Sequence, residues 1–200
     1  MKHTKPGSAD ETAVSCVYFR SPGPQNTRRA LEIAAQRARE LAVQKVLVAS
    51  TRGETGLLAA QMISSAQVIV VTHATGFLRP DHQQLDPNLK KKIQEAGAHI
   101  LTCQHALGGV GRAVRKKLGT YELEEIIAYT LRIFGEGIKV AVEIALMAAD
   151  AGLVSTKAPC ISVGGTGEGA DAAVLLKPAH AQNFFDLRVM EILAKPRLNG

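Results

Sequence analysis

Along the chain, short continuous apolar runs alternate with stretches in which apolar residues recur at helical spacing. Residues 13–19 (AVSCVYF) read as a first strand, rich in β-branched and aromatic residues. The sequence Ser21, Pro22, Gly23, Pro24 cannot continue a strand. Asn26 or Thr27 then offers an N-cap, and Ala30, Ile33, Ala34, Ala38 and Leu41 recur at helical spacing. Residues 45–49 (KVLVA) and 67–72 (QVIVVT) are apolar without alternation, as strands covered on both faces should be. Residues 55–63 between them read as helix. After a long connection over 73–86, a helix starts near Pro87, stops at Gly97 and feeds a fourth strand over 98–102 (AHILT).

The second half begins with a glycine-rich basic segment over 103–119. Residues 121–134 then place Ile126, Ile127, Thr130, Leu131 and Phe134 at helical spacing. Residues 137–151 (GIKVAVEIALMAADA) are apolar nearly all round and predict a buried helix. Residues 159–163 and 172–177 read as strands, and 189–195 fit either strand or helix. Successive strand–helix units predict an open, mostly parallel three-layer α/β sheet with helices on both faces. A single domain over 13–200 is expected, preceded by a mobile polar extension over 1–12.

Composition narrows the function. The 200 residues are 46% hydrophobic and 21% charged, enough to close a core. No apolar run approaches the ~20 residues of a bilayer span, and the polar start lacks the apolar segment of a secretion signal. Neither a membrane protein nor a secreted one is expected. Cys16, Cys103 and Cys160 are odd in number and widely spaced, which argues against a disulfide scaffold and for a reducing cytoplasm. The formal charge of +6 collects in Lys90, Lys91 and Lys92 and in Arg112, Arg115, Lys116 and Lys117. Aromatics make up only 4% and neither cluster contains one, so both read as solvated helix faces, and nucleic acid is not an expected partner. A basic rim that attracts a phosphorylated small molecule is the second reading.

In an open parallel sheet ligands bind beyond the carboxyl ends of the strands, near the switch in strand order. Four polar loops fall there. Ser50, Thr51, Arg52, Gly53 and Thr55 lead into a helix, where free amides, hydroxyls and an arginine suit an anion; an ordinary capping loop reads the same residues equally well. Gly165, Thr166, Gly167 and Gly169 lie in GGTGEGAD, with more glycine than a turn requires, so a ligand-wrapping loop is expected. Thr72, His73, Gly76 and Phe77 lie at and after the third strand, and His105 follows the fourth. Either histidine suits acid–base work or a bond to a ligand or a carbonyl. His3 and His82 read as exposed and His99 as a packing residue. No metal site is expected, since no histidine pair or cysteine set has zinc spacing. The segment Gly109 to Val114 (GVGRAV) lacks the third glycine of a dinucleotide fingerprint and reads as a loop leading into a helix, without a nicotinamide cofactor. Lys139, Glu143 and Asp150 share one stripe of the apolar helix. An ion pair on a narrow exposed face is the preferred reading, and a ligand contact or base at the crevice is the other.

The segments VLVASTRGETG (46–56), VVTHATGF (70–77), FGEGIKVAVEIALMAADAG (134–152) and ISVGGTGEGADAAVLLKPAHAQNFFD (161–186) carry a family resemblance. The chain resembles the pyruvate kinase C-terminal-domain-like proteins from Val17 to Arg197. In pyruvate kinase this domain holds an allosteric sugar-phosphate site built from a hydroxyl-rich loop before a helix and a late glycine-rich loop. Ser50 to Thr55 look like the first loop and Gly165 to Gly169 like the second. The catalytic barrel has no counterpart in these residues, so kinase activity is not implied. Flavin mononucleotide (FMN) has been associated with stand-alone members. The resemblance therefore implies FMN as the cofactor, its phosphate on the Ser50 to Thr55 loop and its rings near His73, Gly76, Phe77 or His105. A sugar-phosphate-sensing module, an enzyme of unknown reaction using FMN or acting on a phosphorylated metabolite, and a homo-oligomer are the other implied readings.

Overall fold

The computed structural model describes residues 11–198. The expected extension over 1–12 lies almost wholly outside the described residues; within them, Glu11 and Thr12 are exposed coil. Seven strands form one sheet: β1 (Val17–Phe19), β2 (Lys45–Ala49), β3 (Gln67–Thr72), β4 (His99–Thr102), β5 (Cys160–Gly164), β6 (Ala172–Lys177) and β7 (Arg188–Pro196). Their order is β1-β7-β6-β5-β2-β3-β4. All neighbours are parallel except that β6 runs against both β5 and β7. The reason lies in the connection: only the loop 165–171 joins β5 to β6, and a loop without a crossover helix gives an antiparallel pair.

Six α-helices cover the sheet: α1 (Thr27–Glu40), α2 (Glu54–Met62), α3 (Pro87–Glu95), α4 (Val110–Leu118), α5 (Leu123–Arg132) and α6 (Glu136–Asp150). The central strands feed two cores. Val46, Val48, Val68, Val70, Ile161 and Val163 pack with α1, α2 and α3, whereas Leu47, Ile69, Val71 and Cys160 pack with α6. This two-faced burial is why those strands read as unbroken apolar runs. Local chemistry sets the helix starts: Asp86 Oδ1 accepts from the amides of Asn88 (2.8 Å) and Leu89 (3.0 Å), and Pro87 occupies the first turn of α3. Arg37 of α1 clamps Glu191 of β7 through Nε (2.8 Å) and Nη2 (2.7 Å), a bidentate pair that fixes helix against strand.

Several expectations are corrected. The first strand starts at Val17 rather than residue 13, because residues 11–15 are exposed and have no neighbouring strand. The ambiguous 189–195 segment is strand β7, tied to both β6 and β1. His99 is exposed on edge strand β4 rather than packed, and His82 is half-buried because its carbonyl and amide close the turn with Gly76 and Arg79. His3 lies outside the described residues.

Candidate functional site

The strand order reverses between β2, whose chain goes on to β3, and β5 on its other side. The loops leaving these two strands face each other across a cavity of about 480 Å³, within the size range of small-molecule sites. One wall is the start of α2. Ser50 Oγ accepts from the Gly56 amide at 3.1 Å, so this hydroxyl is a helix cap, as one of the two readings held. Among the described residues the amides of Glu54 and Thr55 have no hydrogen-bond acceptor. Both residues line the cavity, leaving it a pair of free donors at a positive helix end.

The opposing loop holds Gly165, Gly167, Glu168 and Gly169 against the same space. It is pinned from behind: the Ala170 amide donates to Thr27 Oγ1 (3.0 Å), and buried Asp171 accepts from the Gly23 amide (3.0 Å). A side chain on Gly169, whose φ is +69°, would lie 2.4 Å from Thr27 Oγ1 and 2.5 Å from Pro24 Cα. Glycine is required there by packing as well as by backbone conformation. Arg52 Nη1 reaches across to Glu168 Oε1 at 2.9 Å, while its Nε lies 3.4 Å from Glu54 Oε1. The one arginine of the α2 loop is thus already engaged by two carboxylates.

The third side is aromatic. The rings of His73 and Phe77 have centroids 4.1 Å apart, and Phe77 stacks on His105 at 4.9 Å. The Arg112 guanidinium sits 4.6 Å above Phe77, a cation–π distance. Its Nε is buried without a hydrogen-bond partner. Gln84 Oε1 accepts from His73 Nδ1 at 2.9 Å, which turns Nε2 toward the Thr51 hydroxyl, 3.5 Å away. The Ala74 amide donates to His105 Nε2 at 3.4 Å, leaving the proton on Nδ1, 3.8 Å from Glu143 Oε1.

Helix α6 closes the floor with charges. Lys139 Nζ donates to Glu143 Oε2 at 2.7 Å and lies 3.8 Å from Glu136, which pairs in turn with Arg132. Glu143 Oε1 also accepts from the Leu107 amide at 3.0 Å. The expected Lys139–Glu143 pair is present, but its setting is corrected: the residues are 5% and 3% exposed and form the cavity wall, not a wet helix face. Asp150 is separate and exposed, accepting from the Ala181 amide at 3.1 Å beside His180.

Residues 28–176 match the family model of the pyruvate kinase alpha/beta domain. The chain belongs to that family. A solved pyruvate kinase from Cryptosporidium parvum in complex with ADP is similar over 85% of this chain and 24% of its own, with 13% identity and a TM-score of 0.39. The chain therefore spans about a quarter of that kinase.

In this pyruvate kinase alpha/beta domain, Ser50, Thr51, Arg52, Thr55, Thr72, His73, Phe77, His105, Gly165, Gly167 and Gly169 all line the cavity. Gly53, Gly76 and Thr166 do not. Gly53, at φ +117°, turns toward α3, where a side chain would meet Leu89 Cβ at 2.8 Å. Gly76, at φ +85°, makes the turn that presents Phe77, and Thr166 is half-buried between the lining residues Gly165 and Gly167. Sequence reasoning missed Gln84, Arg112, Glu168, Glu136 and the inward face of Lys139, and held the inward face of Glu143 only as its second reading. The basic cluster over 112–117 is also corrected: Lys116 and Lys117 are exposed, Arg115 pairs with Glu125 at 2.8 Å, and Arg112 turns into the cavity. Within the described residues no group of three or more His, Cys, Asp or Glu could hold a metal ion, and no helix is long and apolar enough to cross a membrane.

Burial pushes His105 down to about 4 from an ordinary 6.5, although Glu143 pulls the other way. Glu143 is held below the usual carboxylate range: burial pushes it up, but Lys139 outweighs that. Between pH 6.5 and about 4 the unfolded chain binds a proton at His105 that the folded chain refuses, so stability falls as the pH falls. Glu143 adds to the loss below its unfolded value. We expect the melting temperature to drop through this window, at a cost of up to about 3 kcal/mol from His105. Melts that stay level from neutrality to pH 4 contradict a buried, neutral His105.

Proposed function

We propose that this chain binds a phosphate-bearing small molecule, with FMN the foremost ligand, at the carboxyl edge of the sheet. The observation that carries the reading is the pair of facing loops at the strand-order switch, with free Glu54 and Thr55 amides on one side and glycine-rich backbone on the other. Such an arrangement favours a compact anion. The rest of the cavity suits the remainder of a flavin phosphate: the Phe77 and His105 rings are aromatic neighbours for a ring system, and the Arg112 guanidinium, which lines the same space, supplies positive charge toward ring oxygens. Glu54 and Glu168 line the space between as acceptors for the hydroxyls of a ribityl or sugar chain. A bound flavin supplies one- and two-electron chemistry, so an FMN-dependent enzyme is the second reading, favoured by the neutral His105 and the tethered His73 beside the ring surface.

The charge pattern makes the binding testable. An incoming phosphate competes with Glu168 and Glu54 for Arg52. Replacing Arg52→Ala removes the cation and weakens binding of FMN about tenfold or more. Glu168→Gln frees the guanidinium and tightens it roughly two- to fivefold. Calorimetric titration of both variants with FMN reads opposite shifts; two shifts of the same sign, or none, remove Arg52 from the phosphate site.

A further inference from the structure

The α2 wall carries an arrangement that binding alone does not use. Three residues from separate stretches converge: Thr51 from the β2–α2 loop, His73 from the end of β3 and Gln84 from the β3–α3 connection, all lining the cavity. The Thr51 hydroxyl faces His73 Nε2 at 3.5 Å, and His73 Nδ1 donates to Gln84 Oε1 at 2.9 Å. A hydroxyl, a base and a group that orients the base form the general pattern of an activated nucleophile, often looser before substrate binds. His73 is held on its backbone as well as on its ring. Its carbonyl accepts from Thr72 Oγ1 (3.1 Å) and Gln83 Nε2 (3.0 Å), and Phe77 covers its ring. The bond to Gln84 fixes the tautomer whose Nε2 lone pair can take a proton.

The free amides of Glu54 and Thr55 lie at the start of the same helix, where negative charge on a transferring group is stabilised. From this convergence we propose that Thr51 is the nucleophile of a phosphomonoester-cleaving site, with His73 as its base and Gln84 as a positioning residue. The proposal rests on the phosphate reading of the α2 helix start given above. Thr51 Oγ attacks phosphorus, its proton passes to His73 Nε2, and the ester P–O bond breaks. The departing alkoxide takes that proton from His73, leaving a phosphothreonine and a free alcohol. Water then attacks the phosphothreonine, giving one proton to His73. The P–Oγ bond breaks, Thr51 Oγ recovers the proton from His73, and phosphate leaves.

The test is to incubate the full chain with p-nitrophenyl phosphate, follow p-nitrophenol release and map any phosphoryl adduct by mass spectrometry of peptides. We expect an adduct on Thr51 and release that falls ~10²–10⁴-fold in His73→Ala. Thr51→Val abolishes both, whereas Thr51→Ser, which restores the hydroxyl, keeps them. Gln84→Glu keeps an acceptor for Nδ1 and retains release, and Gln84→Leu loses it. No adduct on Thr51, or release from Thr51→Val equal to that of the parent chain, overturns the proposal. Thermal melts with inorganic phosphate separate the two readings. A chain that phosphate stabilises but p-nitrophenyl phosphate never modifies overturns this inference alone, and one neither stabilised nor modified overturns the binding reading as well.

Discussion

Replacing Glu143→Leu is expected to destabilise the fold by about 3–5 kcal/mol, among the largest effects of any single change. Glu143 is 3% exposed and accepts two hydrogen bonds, from Lys139 Nζ at 2.7 Å and from the Leu107 amide at 3.0 Å. Leucine leaves an ammonium in the cavity wall with only Glu136, 3.8 Å away and already paired with Arg132, as counter-charge, and a buried amide without an acceptor. Either loss is costly because neither group reaches bulk water freely. The double replacement Lys139→Met with Glu143→Leu removes the stranded charge, so it should recover much of the loss while leaving the Leu107 amide unsatisfied. Urea unfolding of the single and double variants measures this directly. If Glu143→Leu costs no more than an ordinary surface change, or the double variant is the less stable of the two, the pair does not hold the wall as described.

Gly164→Ala is expected to cost about 3 kcal/mol or more, and to loosen the cavity at the same time. A Cβ at residue 164 would lie 2.2 Å from the Gly137 carbonyl oxygen and 3.0 Å from the Ala141 amide nitrogen. Both obstacles are backbone, so no side chain can swing aside. On the other side of the contact, a Cβ at Gly137 would meet Asp171 Oδ1 at 2.6 Å and Ala172 Cβ at 2.7 Å. The first turns of α6 are thus fitted against the ends of β5 and β6, and Ser162 Oγ adds a 2.7 Å bond to the Ala141 carbonyl. Pushing α6 outward moves Lys139 and Glu143 with it, so the variant should lose ligand affinity as well as stability. Thermal melts combined with FMN titration test both halves; a melting temperature equal to the parent's shows that α6 has room to shift.

How much of this was legible beforehand depended on whether one element or several made the feature. Strands β2, β3 and β5 were plain because each is buried on both faces, which writes an unbroken apolar run into the sequence. Their polar exits marked the functional edge for the same reason: Ser50 to Thr55 and Gly165 to Gly169 interrupt those runs with residues a core does not need. Strand β7 was ambiguous because Val189 and Met190, although in a strand, are 41% and 55% exposed, which blurs the period-two signal. The inward turn of Arg112 was not legible, since what distinguishes it from Lys116 and Lys117 is a ring from the β3–α3 connection, far away in sequence. Lys139 and Glu143 showed their i, i+4 pairing in the sequence, but their burial depends on His105 and Leu107, which only the folded chain brings over them. Gln84 carried no signal at all: it lies in a long polar connection, and its role comes from the single bond to His73.

The central claim is that the two facing loops hold a phosphate while the aromatic wall receives a planar ring. Titrating the protein with FMN and, side by side, with riboflavin, and reading the quenching of flavin fluorescence, tests it most directly. The two ligands differ only in the phosphate, so the account predicts saturable FMN binding and riboflavin binding at least tenfold weaker, a difference that Arg52→Ala narrows. Equal affinity for the two, or no saturation with FMN, contradicts it.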